Sequence, residues 1–373
     1  MKGVNKENVK KHALNEFLSE YKELNADNKY RPVAVGRYGI RKRESIYSKE
    51  LAKDYSKNKL IHKDTLTVGM GSKQIDIGIL IEDETFAVSP AYHTYEIQGI
   101  RCKYLEYCLQ SKNIEMFSLY AKRGSRQGKS IDLKRWLTYK IPVYSEEDQI
   151  VIEDNLNKIN VVIELRRKQL ELLDELVRAR FVEMFGNVQD AKKHGGKQLK
   201  DICNTITGGT PSTKHVEYYN GTIPWISTVS LGPNYIDGTT AKAFITQEAV
   251  DNSSTKIIPS GSILFGTRVG VGKSSINLVE MCTNQDIVAI IGLDVSKYNK
   301  LYIKYVLDTY QPYFDSIKKG ATILGISSDD LKNIYVPDAS LYEQNRFEKF
   351  VKQIDKSRLL NNHLLFLLKS ITF

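Results

Sequence analysis

The chain has 373 residues, a formal charge of +10 and four cysteines. That length accommodates two domains with full cores, and the basic balance favours a polyanionic partner. No apolar run approaches the roughly 20 residues that span a bilayer. The N-terminal MKGVNKENVKK lacks the hydrophobic stretch of a secretory signal, so the expectation is a soluble, cytoplasmic protein without a membrane role. Cys102, Cys108, Cys203 and Cys282 lack CxxC or CxxxxH spacing and read as buried thiols rather than a disulfide frame or a zinc site.

In chain order, Val9, Ala13, Leu14, Phe17, Leu18, Tyr21 and Leu24 have helical spacing, which predicts a helix over 5–24. A basic, aromatic stretch follows from Tyr30 to Lys59. Short strands are predicted at 65–68, 75–81 and 86–89, then a helix over 101–119, a loop AKRGSRQGKS, and a strand entering Ile141-Pro142. A long helix is predicted over 147–184, with Ser145 as N-cap, Asp148 in a box-like position and Gly186 as its stop. The next globule carries strand and turn signals around 206–211. Strands are predicted at 224–227, 262–266, 275–278 and 287–292, with a helix over 300–317. A second long helix closes the chain.

The second half repeats the first. Seven residues after Ile141-Pro142 comes Gln149, then Ile152, Leu156, Ile159, Ile163, Arg166, Leu170 and Leu173. Seven residues after Val336-Pro337 comes Gln344, then Phe347, Val351, Ile354, Arg358, Asn361, Leu365 and Leu368. Both runs follow the 4,3 spacing of a coiled-coil seam. Upstream, Lys59-Leu60-Ile61 answers Lys256-Ile257-Ile258, and each precedes a strand ending in glycine, Gly69 or Gly266. Tyr104, Tyr107 and Leu109 answer Tyr302, Tyr305 and Leu307. Lys122-Arg123-Gly124 answers Lys318-Lys319-Gly320, and Asp132-Leu133-Lys134 answers Asp330-Leu331-Lys332. The region before Lys59 has no counterpart. Arg166 and Asn361 interrupt the two seams, either as a buried polar layer that fixes register or at an open rim where another chain docks.

Charge is unevenly shared. Residues 1–145 hold 27 Lys+Arg against 17 Asp+Glu, whereas residues 187–340 hold 15 against 14. The helix at 146–186 is acidic, 6 against 10, and the segment 341–373 is basic, 6 against 3, which favours pairing of the two helices. A duplicated globule-plus-helix suits a ligand read at two places, as duplex DNA is.

Particular residues carry a family resemblance. Thr207-Gly208-Gly209-Thr210-Pro211-Ser212, Tyr218-Tyr219-Asn220-Gly221 and Ile223-Pro224-Trp225-Ile226 look like the opening of a target recognition domain. Ile263-Leu264-Phe265-Gly266-Thr267-Arg268-Val269-Gly270 and Asn284-Gln285 resemble its later strands and loop. With the proline-led helices, the chain resembles the DNA specificity subunit of type I restriction–modification enzymes, strongly over 207–373 and more weakly over 59–145. The resemblance implies an α/β fold in which two target recognition domains are separated by two long antiparallel coiled-coil helices, a pseudo-two-fold repeat. The corresponding division is 1–145 for the first domain, with a divergent start, 146–186 for the first helix, 187–340 for the second domain and 341–373 for the second helix. It also implies double-stranded DNA as ligand, two methyltransferase subunits as partners, and motor–nuclease subunits in the full complex.

Catalytic motifs are missing from this reading. Gly266 to Ser274 tempts a P-loop assignment, but Thr267 stands where that motif needs glycine, so the run reads as a tight turn exposing Arg268 and Lys273. Neither a (D/N)PP(Y/F) motif nor a glycine-rich turn seats S-adenosylmethionine. That cofactor is expected on the partner methyltransferase, and no catalytic or metal-binding residue is nominated here.

Candidate DNA contacts follow from residue chemistry, with Lys and Arg for phosphate and guanine and Asn or Gln for adenine. In the first domain they are Arg37, Tyr38, Arg41, Lys42, Arg43, Lys73, Gln74, Lys122, Arg123 and Arg126. In the second they are Lys214, His215, Tyr218, Tyr219, Ser227, Thr228, Arg268 and Lys273. Trp225 is assigned to the core beneath the recognition loop, and Asn284 and Gln285 to DNA or to backbone groups at a strand end. A rod of roughly 55 Å would set a gap of about one and a half turns of B-DNA between half-sites. Inserting a heptad into the helices is expected to lengthen that gap. The competing classes are a coiled-coil assembly scaffold that reads no DNA and a detached part of a single-chain restriction enzyme.

Overall fold

The computed structural model describes residues 9–36, 39–46, 54–126, 129–320 and 322–372, with backbone alone at 123–126, 129 and 371–372. It divides into two compact units, residues 1–167 with 363–373, and residues 168–362. Both divisions fall inside the long helices, Glu146–Phe185 and Leu341–Thr372.

The first unit is built on a four-stranded antiparallel sheet in the order Leu18–Tyr21, His93–Ile97, Thr65–Met70, Ile75–Leu80. Alternation decides its two faces. Leu66, Val68, Ile75 and Ile77 point into a core with Leu105, Leu109, Met116 and Trp136. On the opposite face Gly69 and Gly78 leave room for Tyr92 and for Ile40 and Val35. A methyl group on Gly69 would lie 2.2 Å from the Tyr92 ring. The Tyr92 hydroxyl then donates to the Val35 carbonyl at 2.8 Å, and Lys59 donates to the Tyr92 carbonyl at 2.6 Å. Burial holds the Lys59 amine below its ordinary pKa.

Three expectations change in this unit. The helix over 5–24 is replaced, among the described residues, by strand Lys10–Ala13, a 3-10 turn at Leu14–Glu16 and strand Leu18–Tyr21. The strands pair with Lys140–Val143 and His93–Ile97, so distant backbone partners outweigh local spacing, and Leu14 and Leu18 are buried either way. The expected loop AKRGSRQGKS contains a hairpin, Ala121–Arg126 against Lys129–Ile131. The predicted helix over 101–119 divides into Cys102–Ser111 and Asn113–Tyr120. At the break the buried Asn113 carboxamide exchanges two hydrogen bonds with the Ile75 backbone, 2.8 and 2.9 Å.

The second unit carries a five-stranded sheet in the order Asn204–Thr207, Ile287–Ile291, Ile263–Gly266, Ser274–Asn277, Tyr235–Ile236. Ile263, Phe265, Val288 and Ile290 pack with helices Lys300–Thr309 and Gln311–Ile317, while Leu264 and Ala289 pack with Ile226, Ile258 and Met281. The expected helix over 300–317 breaks at Tyr310. Pro312 lies in the first turn of the second piece, where its missing N–H costs nothing but cannot continue the hydrogen-bond ladder of the first piece.

The internal repeat extends to individual hydrogen bonds. Tyr104 donates to the Pro142 carbonyl at 2.7 Å, and Tyr302 donates to the Pro337 carbonyl at 2.8 Å. Gln149 accepts from the Arg101 N–H at 3.1 Å and donates to the Tyr144 carbonyl at 2.8 Å. Gln344 accepts from the Asn299 N–H at 2.8 Å and donates to the Ala339 carbonyl at 2.9 Å. Glu153 then takes Arg101 and the Tyr104 N–H, as Glu348 takes the Asn299 carboxamide. Each glutamine thus fastens a domain helix to the start of a long helix. Gln344→Leu strands the Asn299 N–H, and unfolding of the second unit in urea is expected to lose about 1–3 kcal/mol. An unmoved midpoint would contradict the role given to this hook.

The long helices begin at serines. Ser145 accepts from the Asp148 N–H at 3.2 Å, while Ser340 and Glu343 form a reciprocal box. Gly186, at φ +73°, terminates the first helix. Within the second unit the helices run antiparallel, because Phe181 meets Phe347 while Asp174 meets Arg358. The predicted seam is buried or half-buried throughout both runs. Asn361 is buried and Arg166 half-buried.

Candidate nucleic-acid interface

Strand pairing in the second unit brings several loops to one end of the five-stranded sheet. Thr207 pairs with Val288, Gly266 with Ile287, and Phe265 with Ser274. The segments 208–212, 267–273 and 284–286 therefore emerge together. The parallel pair Ile226–Thr283 adds the turn at 227–231 to the same end. Gly208 and Gly209 permit the close approach: a methyl on Gly208 would lie 2.4 Å from the Asn284 carbonyl oxygen. Trp225 is buried below and donates to the Gly209 carbonyl at 3.0 Å, as its core assignment requires.

At the surface of this end Thr210 donates to the Gln285 carboxamide oxygen at 2.7 Å. Asp286 accepts from Asn284 at 3.1 Å and lies 3.8 Å from Arg268. Neither Asn284 nor Gln285 uses its side chain on backbone in these bonds. The 266–273 run closes on itself: Gly266, Gly272 and Lys273 donate their N–H groups to Lys273, Gly266 and Gly270. Gln311 fills the space beside Gly272 and donates to the Val271 carbonyl at 3.0 Å. Those amides are committed to a tight turn, which leaves Arg268 and Lys273 exposed.

The other candidates of this unit divide. Lys214 is exposed. His215 is exposed too, stacked on Tyr218 at 4.8 Å and bonded to Glu217 at 2.8 Å. A hydrogen bond from its own backbone and then His215 hold the Glu217 carboxyl below its ordinary pKa. Tyr218 and Thr228, expected at the surface, are buried, Tyr218 in a cluster with Trp225, Ile245 and Cys282. Tyr219 is half-buried and donates to the Pro211 carbonyl at 2.7 Å, so it braces the 208–212 loop, and Ser227 is half-buried beside the Asn284 segment.

Among the described residues of the first unit the candidates are not gathered in one place. Lys73 and Gln74 lie in the turn before strand Ile75–Leu80, closed by the Gly71 N–H to the Gln74 carbonyl. Arg41, Lys42 and Arg43 lie towards the other end of that strand, where Lys42 is 3.8 Å from Glu84 and 5.7 Å from the Phe86 ring. Lys122 is exposed, 3.9 Å from Asp132, on the hairpin that packs against strand Thr65–Met70. Arg123 and Arg126 occupy the same hairpin by backbone, and Arg37 and Tyr38 lie outside the described residues. In the second unit the matching segment also adjoins the central strand, through the Ile326 N–H to the Thr267 carbonyl at 2.8 Å.

Residues 194–369, which include this loop-bearing end, match the family model described as the type I restriction modification DNA specificity domain. Over 162 residues it is 35% identical to the type I restriction enzyme MjaIX specificity subunit of Methanocaldococcus jannaschii, covering 43% of this chain and 37% of that one. Over 178 residues it is 32% identical to the EcoR124I/EcoR124II specificity subunit of Escherichia coli, covering 45% and 42%. The matched stretch is thus about two fifths of each relative's length. A solved chain from work on complex assembly and conformational transition of the type I R-M system aligns with all of this chain and 97% of its own length, at TM-score 0.62 and 16% identity. That likeness is one of fold. Among the described residues no group of three or more His, Cys, Asp or Glu could hold a metal, and no helix is long and apolar enough to cross a membrane.

Proposed function

We propose that the chain is the DNA sequence-recognition subunit of a type I restriction–modification complex, cytoplasmic and without a catalytic step of its own. The observation that carries this reading is the duplicated junction, Tyr104, Gln149 and Glu153 in one unit and Tyr302, Gln344 and Glu348 in the other. One framework is used twice under surfaces that differ, which is what reading two unlike half-sites demands. The relatives named above as specificity subunits support it.

On this reading the domains at 1–145 and 187–340 each take one half-site of a bipartite duplex. Lysines and arginines supply affinity through phosphates, and the loop-bearing ends discriminate bases. Methyl transfer and its S-adenosylmethionine belong to two partner methyltransferase subunits, with motor–nuclease subunits in the full complex. The long helices offer those partners apolar side chains that their own seam leaves exposed, among them Val161, Leu165, Leu172, Leu359 and Phe366.

Genome-wide adenine methylation, mapped after co-expressing the chain with its cognate methyltransferase, is expected to reveal a new bipartite motif that is absent without the chain. A complex that co-purifies yet writes no new motif would defeat the recognition reading and leave an assembly scaffold in its place.

A further inference from the structure

Large apolar side chains stand exposed on the loops at the recognition end of the second unit. Val229, on the turn Thr228–Ser230, is 84% exposed, the highest value among the exposed large hydrophobics of the described residues. Val269 lies between Arg268 and Gly270 and is 53% exposed. Ile323 and Leu324, at 55% and 57%, stand in the segment closed by reciprocal Lys319–Gly325 backbone hydrogen bonds.

Their loops converge. Asn284 donates its N–H to the Ile226 carbonyl, and Gly232 donates to Ser275, which holds the 227–231 turn beside the sheet end. The Ile326 N–H on the Thr267 carbonyl holds the 318–326 segment beside Val269. Each of these chains has buried its other apolar residues, Leu231, Val271 and Ile326 among them. The exposed ones mark a contact surface rather than a failure of packing.

Two of the three loops also carry exposed cations, Arg268 and Lys273 with Val269, and Lys319 with Ile323 and Leu324. An apolar surface set among cations complements a polyanion that itself presents apolar groups. The major groove of DNA does so through the C5-methyl of thymine. Resting on the recognition reading above, we propose that Val229, Val269 and Leu324 read thymine methyl groups in the second unit's half-site. The near-balanced charge at 187–340, 15 basic against 14 acidic residues, accords with discrimination drawn from apolar contact rather than from dense ion pairing.

Replacing thymine by deoxyuridine deletes the methyl and keeps every hydrogen-bonding group. The assembled complex with its methyltransferase would be titrated on its cognate duplex and on duplexes carrying uracil in one half-site at a time. Each lost contact is expected to weaken binding about fourfold, in one half-site only. In a variant carrying Val229→Ser, Val269→Ser and Leu324→Ser together, uracil and thymine duplexes should bind alike at that half-site. Equal binding of uracil and thymine by the unaltered complex overturns the proposal, as does a variant that keeps the difference. Loss of the methyltransferase from the variant, with thymine discrimination intact, would overturn it by assigning this surface to that protein. Failure of the complex to prefer any sequence would overturn the recognition reading along with it.

Discussion

Phe347→Ala is expected to destabilise the second unit by about 3–5 kcal/mol. Phe347 is fully buried where the long helices meet the domain, with Phe181, Phe185 and Tyr305 edge-on at 5.4, 5.6 and 5.2 Å. Its removal takes a partner from three rings at once, and a helix whose start is fixed by capping and by the Gln344 hook cannot slide to fill the space. Urea unfolding followed through Trp225 would register the loss. Leu359→Ala, on the same helix but 74% exposed, is the control and should shift stability by less than about 0.5 kcal/mol. Equal losses in the two variants would mean that the antiparallel register described above is wrong.

Gly208→Ala should act on recognition rather than on global stability. The added methyl would lie 2.1 Å from the Thr283 hydroxyl and 2.4 Å from the Thr283 and Asn284 carbonyl oxygens. Backbone cannot yield cheaply at such distances, so the loop through Thr210 must move, and the Thr210–Gln285 bond goes with it. Overpacking of this kind costs about 1–3 kcal/mol. Spent on loop geometry, that is roughly a tenfold loss of discrimination at one half-site. Methylation mapping should show one half of the motif degenerate and the other intact. An unchanged motif would remove the glycine pair from the recognition loop.

Much of the scaffold was legible because its determinants are periodic. The seam from Ile152 to Leu173 and its copy from Phe347 to Leu368 repeat a spacing that only paired helices use, and Ser145 and Gly186 mark the ends of the first. Strand 263–266 reads clearly because both faces are covered and its sequence is continuously apolar, and strand 65–70 because leucine and valine alternate with threonine. The N-terminal segment failed for the opposite reason. Ala13, Leu14, Phe17, Leu18 and Tyr21 satisfy helical spacing, but they also suit two short strands around a turn. The choice is made by Ile141 and Thr94, far along the chain. A single polar residue that replaces backbone contacts, such as Asn113, leaves no periodic trace, whereas Gln344 stood out because Gln149 repeats it. The site was legible by residue type and not by depth. Arg268 and Lys273 are exposed as their chemistry implies, while Tyr218 and Thr228 sit only one or two positions from exposed neighbours and turn inward. The contact of Thr210 with Gln285 joins segments 75 residues apart, which no local pattern announces.

The helical segment from His363 onward belongs to the first unit, although 195 residues of the other unit separate it from Arg167. Synthesis order and completion order therefore differ. The second unit is one uninterrupted stretch and has all its parts once Asn362 has left the ribosome. The first unit, begun earlier, still lacks Leu365, a buried member of the seam. A nascent chain thus holds an unfinished N-terminal globule while a whole one forms behind it. Shortening by a few helical turns at the far end would be felt by the globule made first.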